Sequence, residues 1–365
     1  MSPTARLKIA RFFLVIAAVY LFLLSIKLLG HSFKLFGKDF AETMIEMTSN
    51  PFTGLLIGIV ATSLIQSSST TTSIVVGLVA GGALSLETAI PIIMGANIGT
   101  TITNTMVSLG HITKRMEFRR AFSAGIVHDF FNICAVVVIF PMELNFHPIA
   151  KTAGLLQKHF SDYGGMKIFN PLKLILDPVI RPIDRVIKPM PYGNIVLMVV
   201  SIALMIGALT LLVKTVRSLV LTKLEVVINR YLFKNDALGF SLGILITAVV
   251  QSSSVTTSII IPLAGAGLIS LRQIFPYTLG ANIGTTVTAI LAALATQNPI
   301  AVTVAFSHLC FNILGILIFY PLKFIPIRLA EFVGKHASES TRKLIIFLLI
   351  YLLVYLVPIM LIFVW

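Results

Sequence analysis

Two cysteines in the whole chain, Cys134 and Cys310, are too few for the disulfide frameworks that hold small secreted domains together. Both fall inside apolar stretches at non-equivalent positions, so no structural disulfide is expected. Charge is scarce as well: 12% of the residues are charged against 57% hydrophobic, with a mean hydropathy of +0.97, which excludes an ordinary soluble domain. Alternating strands of ~10 residues are missing, which excludes a membrane β-barrel. Acidic residues are the scarcest charges, 14 against 28 basic, leaving a net +14. The basic residues form short clusters beside apolar runs (Lys114, Arg115, Arg119, Arg120; Lys214, Arg217, Lys223). That placement reads as anchoring against anionic lipid, and nucleic acid is not expected as a partner.

What the chain does have is long apolar runs. Residues 12–26, 195–213 and 345–365 approach or exceed the ~20 residues that cross a bilayer as a helix. Arg6, Lys8 and Arg11 precede the first run, which is longer than a signal-peptide core and lacks a clear A-x-A cleavage site. It reads as a retained first helix with a cytoplasmic N-terminus.

Polar strings interrupt these runs, and they occur twice. Gln66-Ser67-Ser68-Ser69 recurs as Gln251-Ser252-Ser253-Ser254, and Gly95-Ala96-Asn97-Ile98-Gly99-Thr100-Thr101 recurs residue for residue at 280–286, both at an offset of 185. His128, Phe131, Asn132 and Pro141 recur as His308, Phe311, Asn312 and Pro321 at an offset of 180. The chain is therefore a duplication with a shortened loop in the second copy. That loop, 111–120, holds four basic residues in the first copy, and its counterpart at 295–300 holds none. Glu87 is replaced by Arg272 between the two motifs. Opposite charge on matching connections implies opposite orientation.

The expected architecture is an all-α polytopic membrane protein of two inverted-topology repeats. Each repeat has a spanning helix, a surface connector, a re-entrant QSSS hairpin, a broken helix carrying GANIGTT and a closing helix. The divisions are 1–141 for the first repeat, 142–193 for an external linker loop, 194–321 for the second repeat, and 322–365 for a cytoplasmic amphipathic segment with a last hydrophobic helix.

In lipid an unpaired polar group costs several kcal/mol, so the QSSS strings belong at hairpin tips around a watery cavity. There a serine-rich turn opens a helix whose first N–H groups lack partners, making an anion cradle of Gln66, Ser67, Ser68 and Ser69 facing Gln251, Ser252, Ser253 and Ser254. A tetrahedral oxyanion, with many acceptors, suits such a double site. In GANIGTT the glycines permit an unwound turn, whose carbonyls join Asn97, Thr100, Thr101, Asn282, Thr285 and Thr286 as uncharged oxygen ligands for a monovalent cation, expected to be sodium. Helix packing is the competing use of both strings. No Lys or Arg lies in either motif, so neutralisation of a bound anion falls to helix ends and co-bound cations, which couples the two ligands. Asp129, the main acidic residue within a span, is expected to pair with His128. His128 and His308 are expected to tie their helices to the core.

QSSSTTTSIVV (66–76), PIIMGANIGTTITNT (91–105), FRRAFSAGIVHDFFN (118–132), QSSSVTTSI (251–259), GANIGTTVTAILAALA (280–295) and HLCFNILGILIFYP (308–321) resemble the type II sodium-dependent phosphate cotransporter family. The resemblance covers both halves. It implies secondary active import of inorganic phosphate with co-transported Na+, no enzymatic activity, and phosphate held between the two QSSS motifs. It makes the six Asn and Thr positions sodium or substrate-site candidates. Asn104 matches the family's TNT, but the second copy has Ala289, so its role is asymmetric. Animal relatives carry a large external disulfide-bonded loop; the short, cysteine-free 142–193 points to a bacterial plasma-membrane member. Alternatives are the same fold moving another oxyanion or a dicarboxylate, an intramembrane serine hydrolase pairing a QSSS serine with His128 or His308, and a passive channel.

Overall fold

The computed structural model describes residues 3–37, 45–46, 50–163, 165, 171–187, 189–231 and 235–362, and the regular elements among them are helices. Five are long and apolar enough to cross a membrane: Ile9–Phe36, Arg115–Phe146, Gly193–Val216, Leu271–Thr296 and Pro299–Phe319. Helix α1 (Pro3–Leu35) packs along α9 (Gly193–Tyr231), the opening helices of the two halves.

Each opening helix leads to a hairpin. Its first arm is α2 (Pro51–Ile65) in one half and α10 (Asp236–Val250) in the other, both 15 residues and displaced by the same 185 positions. The starts match because Asn50 and Asn235 cap them, accepting from Phe52 N at 2.9 Å and Leu238 N at 2.8 Å. At 1.5 Å per residue each arm rises only ~22 Å, short of the ~30 Å hydrocarbon core. The chain turns back into α3 (Ser68–Gly81) in the first half, and into α11 (Ser253–Ser258) and α12 (Ile260–Gly265) in the second. Pro262 accounts for the second arm's interruption, since it has no N–H for the Ser258 carbonyl.

The GANIGTT helices follow. In the first copy α4 (Leu86–Gly99) ends at the motif, Thr100 and Thr101 form a turn, and α5 (Ile102–Leu109) resumes. In the second copy the expected break is absent: α13 (Leu271–Thr296) runs through Gly280–Thr286 without interruption. The glycines serve close helix crossing. A Cβ at Gly95 would lie 2.0 Å from the Leu55 carbonyl oxygen of α2, and one at Gly280 would lie 2.0 Å from the Phe240 oxygen of α10. Gly58 and Gly243 make the reciprocal approaches from the hairpin arms, at 2.0 Å to Ile92 O and 2.2 Å to Tyr277 O. Each hairpin's first arm is thus laid backbone to backbone on the GANIGTT helix after it.

The halves close with α6 (Arg115–Phe146) and α14 (Pro299–Phe319). Residues 142–193 were expected to form a loop and are instead largely helical, as the end of α6, α7 (Pro148–Asp162) and α8 (Pro171–Ile187). Prolines suggested the loop, but Pro171 sits at the start of α8, and Pro178 and Pro182, four residues apart, share its exposed face. The carbonyls they leave without a donor, those of Leu174 and Pro178, therefore lie on the exposed face and not on the packed side. On that side Leu176 is buried, Asp177 pairs with Lys27, and Asp184 pairs with His31 at 2.7 Å, docking α8 on α1.

Finally α15 (Phe324–Ala337) lies against α6, and α16 (Thr341–Ile362) reaches the same helix through Phe347, whose ring meets Phe122 edge-on at 5.2 Å. The expected surface connector between α1 and the first hairpin falls largely outside the described residues. Cys134 and Cys310 are free.

Candidate functional site

The two hairpin tips have the same backbone. Gln66 and Gln251 are left-handed, at φ 58° and 61°, and end the first arms; Ser67 and Ser252 are extended, at φ −154° and −152°, and cap the return arms. The Ser67 hydroxyl accepts from Thr70 N at 3.2 Å and the Ser252 hydroxyl from Val255 N at 3.3 Å. Each glutamine side chain is a clamp. Gln66 Nε2 donates to Ser63 O while its Oε1 accepts from Thr103 at 2.9 Å; Gln251 Nε2 donates to Ala248 O while its Oε1 accepts from Thr288 at 2.6 Å. Thr103 and Thr288 are themselves 185 positions apart, so the duplication extends to these clamps.

The tips also meet each other. Ser69 Oγ donates to Gln251 O at 3.3 Å, and Ser254 Oγ donates to Thr100 O at 3.1 Å. Between them lies a cavity of about 340 Å³ lined by Gln66, Ser67, Ser69, Gln251, Ser252 and Ser254, with Thr210 and Lys214 entering from α9. Ser68 and Ser253 are buried and do not line it. Lys214 corrects an expectation: a lysine does reach the paired tips. It was hidden among the basic residues flanking an apolar run, where charge alone reads as a lipid anchor.

The six GANIGTT candidates do not line this cavity. Thr100, Thr101, Thr285 and Thr286 turn their hydroxyls back onto carbonyls of their own helices at 2.7–3.2 Å. Asn97 Nδ2 does likewise, to Ile93 O at 3.1 Å. Asn282 instead enters a buried chain across the two halves. His128 Nε2 meets its Oδ1 at 2.6 Å, Asn282 Nδ2 donates to Asn132 Oδ1 at 2.8 Å, and Asn132 Nδ2 donates to Asn97 O at 2.7 Å. His128 thus ties α6 to α13. The matching chain is not formed: both ring nitrogens of His308 and the Asn312 Oδ1 lack partners among the described residues. Asn282→Ala leaves His128 and Asn132 buried without their partner, and the expected loss is about 1–3 kcal/mol for each unsatisfied group. Thermal unfolding of the purified variant beside Asn97→Ala checks this, with the smaller loss expected for Asn97, whose side-chain bond is local.

Asp129 does not pair with His128. Successive residues on a helix point about 100° apart, and Asp129 Oδ2 accepts from Tyr351 of α16 at 3.3 Å, while Tyr351 accepts from Thr105 at 3.2 Å. Asn104 donates to Thr257 at 2.8 Å across the halves. The counterpart positions hold Ala289 and Thr72, and the Thr72 hydroxyl is without a partner among the described residues. The asymmetry of Asn104 was therefore visible in the sequence, whereas its partner was not.

A duplicated pair of hairpins, tip to tip over one cavity among helices of membrane length, defines a multi-pass helical membrane protein. The sequence profile of the Na+/Pi-cotransporter family matches residues 21–150 and 204–324. The chain is 35% identical to sodium-dependent phosphate transport protein 2A of Rattus norvegicus over 92% of this chain and 65% of that protein. It is 32% identical to sodium-dependent phosphate transport protein 2B of Homo sapiens, over 91% of this chain and 62% of that protein. The chain spans a little under two thirds of the length of these relatives. No solved structure matches it at a significant level. It belongs to the Na+/Pi-cotransporter family.

Proposed function

We propose that this chain is a sodium-coupled symporter that imports inorganic phosphate across the plasma membrane, holding it between the two QSSS tips. The observation that carries this reading is the single cavity lined by both tips. Ser67 and Ser69 from one side, Ser252 and Ser254 from the other, supply hydroxyl donors to a many-acceptor anion, and Lys214 supplies the positive charge the motifs lack. The names of these relatives, sodium-dependent phosphate transport proteins, favour phosphate as that anion and sodium as the coupling ion. Within this reading the repeats, 1–141 and 194–321, are inverted, the hairpins are re-entrant, and access alternates between the two sides. Sodium is assigned to the GANIGTT strings beside the tips, where the Thr100 carbonyl already accepts from Ser254.

The hydrolase alternative lacks support from the site. His128 is engaged with Asn282, the Ser67 hydroxyl is engaged as a helix cap, and no histidine lines the cavity. Another oxyanion or a dicarboxylate is separated by competition against labelled phosphate.

The test is uptake into proteoliposomes. Phosphate accumulates above its outside concentration with a sodium gradient and fails to do so when choline replaces sodium; equal uptake in choline overturns the coupling. Lys214→Met is expected to raise KM for phosphate about tenfold to a hundredfold, the equivalent of one charge-assisted hydrogen bond of about 1.5–3 kcal/mol. An unchanged KM removes Lys214 from the site.

A further inference from the structure

A second cavity, of about 520 Å³ and lined by charged as well as apolar side chains, lies away from the QSSS tips. Arg119, Arg120 and Ser123 of α6 form one wall. Ala264 and Gly267, where the second hairpin ends, and Ser270 and Leu271, where α13 begins, form another, with Glu331 of α15 opposite. Neither arginine has an ion pair or hydrogen-bond partner among the described residues, although a carboxylate shares the cavity. The nearby acidic residue Glu117 is occupied by Lys114 at 2.9 Å and approached by His111 at 3.7 Å.

The corresponding place in the other half is built differently. There Asn298, the cap of α14, donates directly to Ala80 O at 3.4 Å, pinning the end of the first hairpin. Gly82 and Gly267 are counterparts, both left-handed at φ 84° and 77°. A Cβ at Gly82 would meet nothing within 4 Å, whereas one at Gly267 would lie 2.3 Å from an Arg120 guanidinium nitrogen. One hairpin end is thus closed by a hydrogen bond. The other faces two uncommitted guanidinium groups and the first turn of a 26-residue helix, where a capping box pairs the Ser270 and Gln273 N–H groups and leaves those of Leu271 and Arg272 open.

We propose that this cavity binds a phosphate-bearing anion, which bridges Arg119 and Arg120 to the start of α13 and thereby fixes the end of the second hairpin as Asn298 fixes the first. Guanidinium forks match phosphate oxygens in pairs, and the two arginines outnumber the one carboxylate. The chemistry fits both free phosphate and the phosphomonoester headgroup of an anionic lipid. It is independent of what the QSSS cavity carries.

The experiment uses the full chain in nanodiscs and reads hydrogen exchange across 260–275. In phosphatidylcholine discs with inorganic phosphate added, or in discs containing phosphatidic acid without it, this segment is expected to gain protection. Protection by added phosphate identifies a free anion, and protection confined to phosphatidic acid discs identifies a lipid headgroup; each supports the site. The Ser67→Ala/Ser252→Ala chain is run beside it, and the protection is expected to persist there. Arg119→Gln/Arg120→Gln is expected to weaken the apparent affinity on the order of tenfold or more, with Arg119→Lys/Arg120→Lys retaining part of it. No protection in either disc, or protection unchanged in the double glutamine chain, overturns the proposal.

Discussion

Ser67→Ala and Ser252→Ala combined are expected to abolish sodium-dependent phosphate accumulation while leaving the protein inserted and folded. Each serine has two duties at its tip. Its hydroxyl caps the return helix of its hairpin, a contribution of about 1 kcal/mol that alanine loses. It also lines the shared cavity, where a hydrogen bond to a charged ligand adds about 1.5–3 kcal/mol. The folding loss is small beside the contacts that hold each hairpin arm against its GANIGTT helix, so expression and insertion should survive. The two ligand contacts together amount to roughly a hundredfold to ten-thousandfold in affinity. Each single variant should show an intermediate defect, because the tips are lined alike. Uptake at wild-type rate in either single variant would show that the two tips do not share one ligand.

Gly95→Val and Gly280→Val are expected to cause large losses of stability. At both positions the added Cβ falls 2.0 Å from a backbone oxygen of the neighbouring hairpin arm, and a backbone cannot swing aside as a side chain can. The two helices must separate, which opens the packing along the whole crossing. Overpacking typically costs about 1–3 kcal/mol even where side chains can adjust, and here the cost should lie at or above the top of that range. Gly154→Ala in α7 is the control, because its Cβ meets nothing within 4 Å. That variant should match or exceed wild-type stability, since alanine is the better helix former by about 1 kcal/mol. Thermal unfolding in detergent reads all three, and a wild-type transition for Gly95→Val would contradict the close crossing.

These glycines also mark the limit of what the sequence reveals. A repeated string at one offset is enough to place both hairpins, because the Asn50 and Asn235 caps and the serine turns are local chemistry that repeats wherever the residues do. What Gly95 and Gly280 are for depends on the surface that approaches them. The sequence permits unwinding or close contact equally, and the Leu55 and Phe240 carbonyls decide for contact. The same holds for the break after Gly99, which α13 omits despite an identical motif. Pro178 and Pro182 read as loop formers until their common exposed face is seen, and Lys214 reads as an anchor until α9 is placed beside the tips. The serines were legible because buried hydroxyls in an apolar run demand an explanation. Thr103, Thr288 and Thr257 were not, since one threonine in a membrane helix usually bonds its own backbone, as Thr100 and Thr285 do.

The most direct measurement is an experimental density map of the protein with sodium and phosphate bound. One tetrahedral density is expected within hydrogen-bonding reach of Ser67 or Ser69 and of Ser252 or Ser254 at once, with the Lys214 ammonium beside it. Density held by a single tip, or found only outside the cavity that the two tips share, would contradict the account.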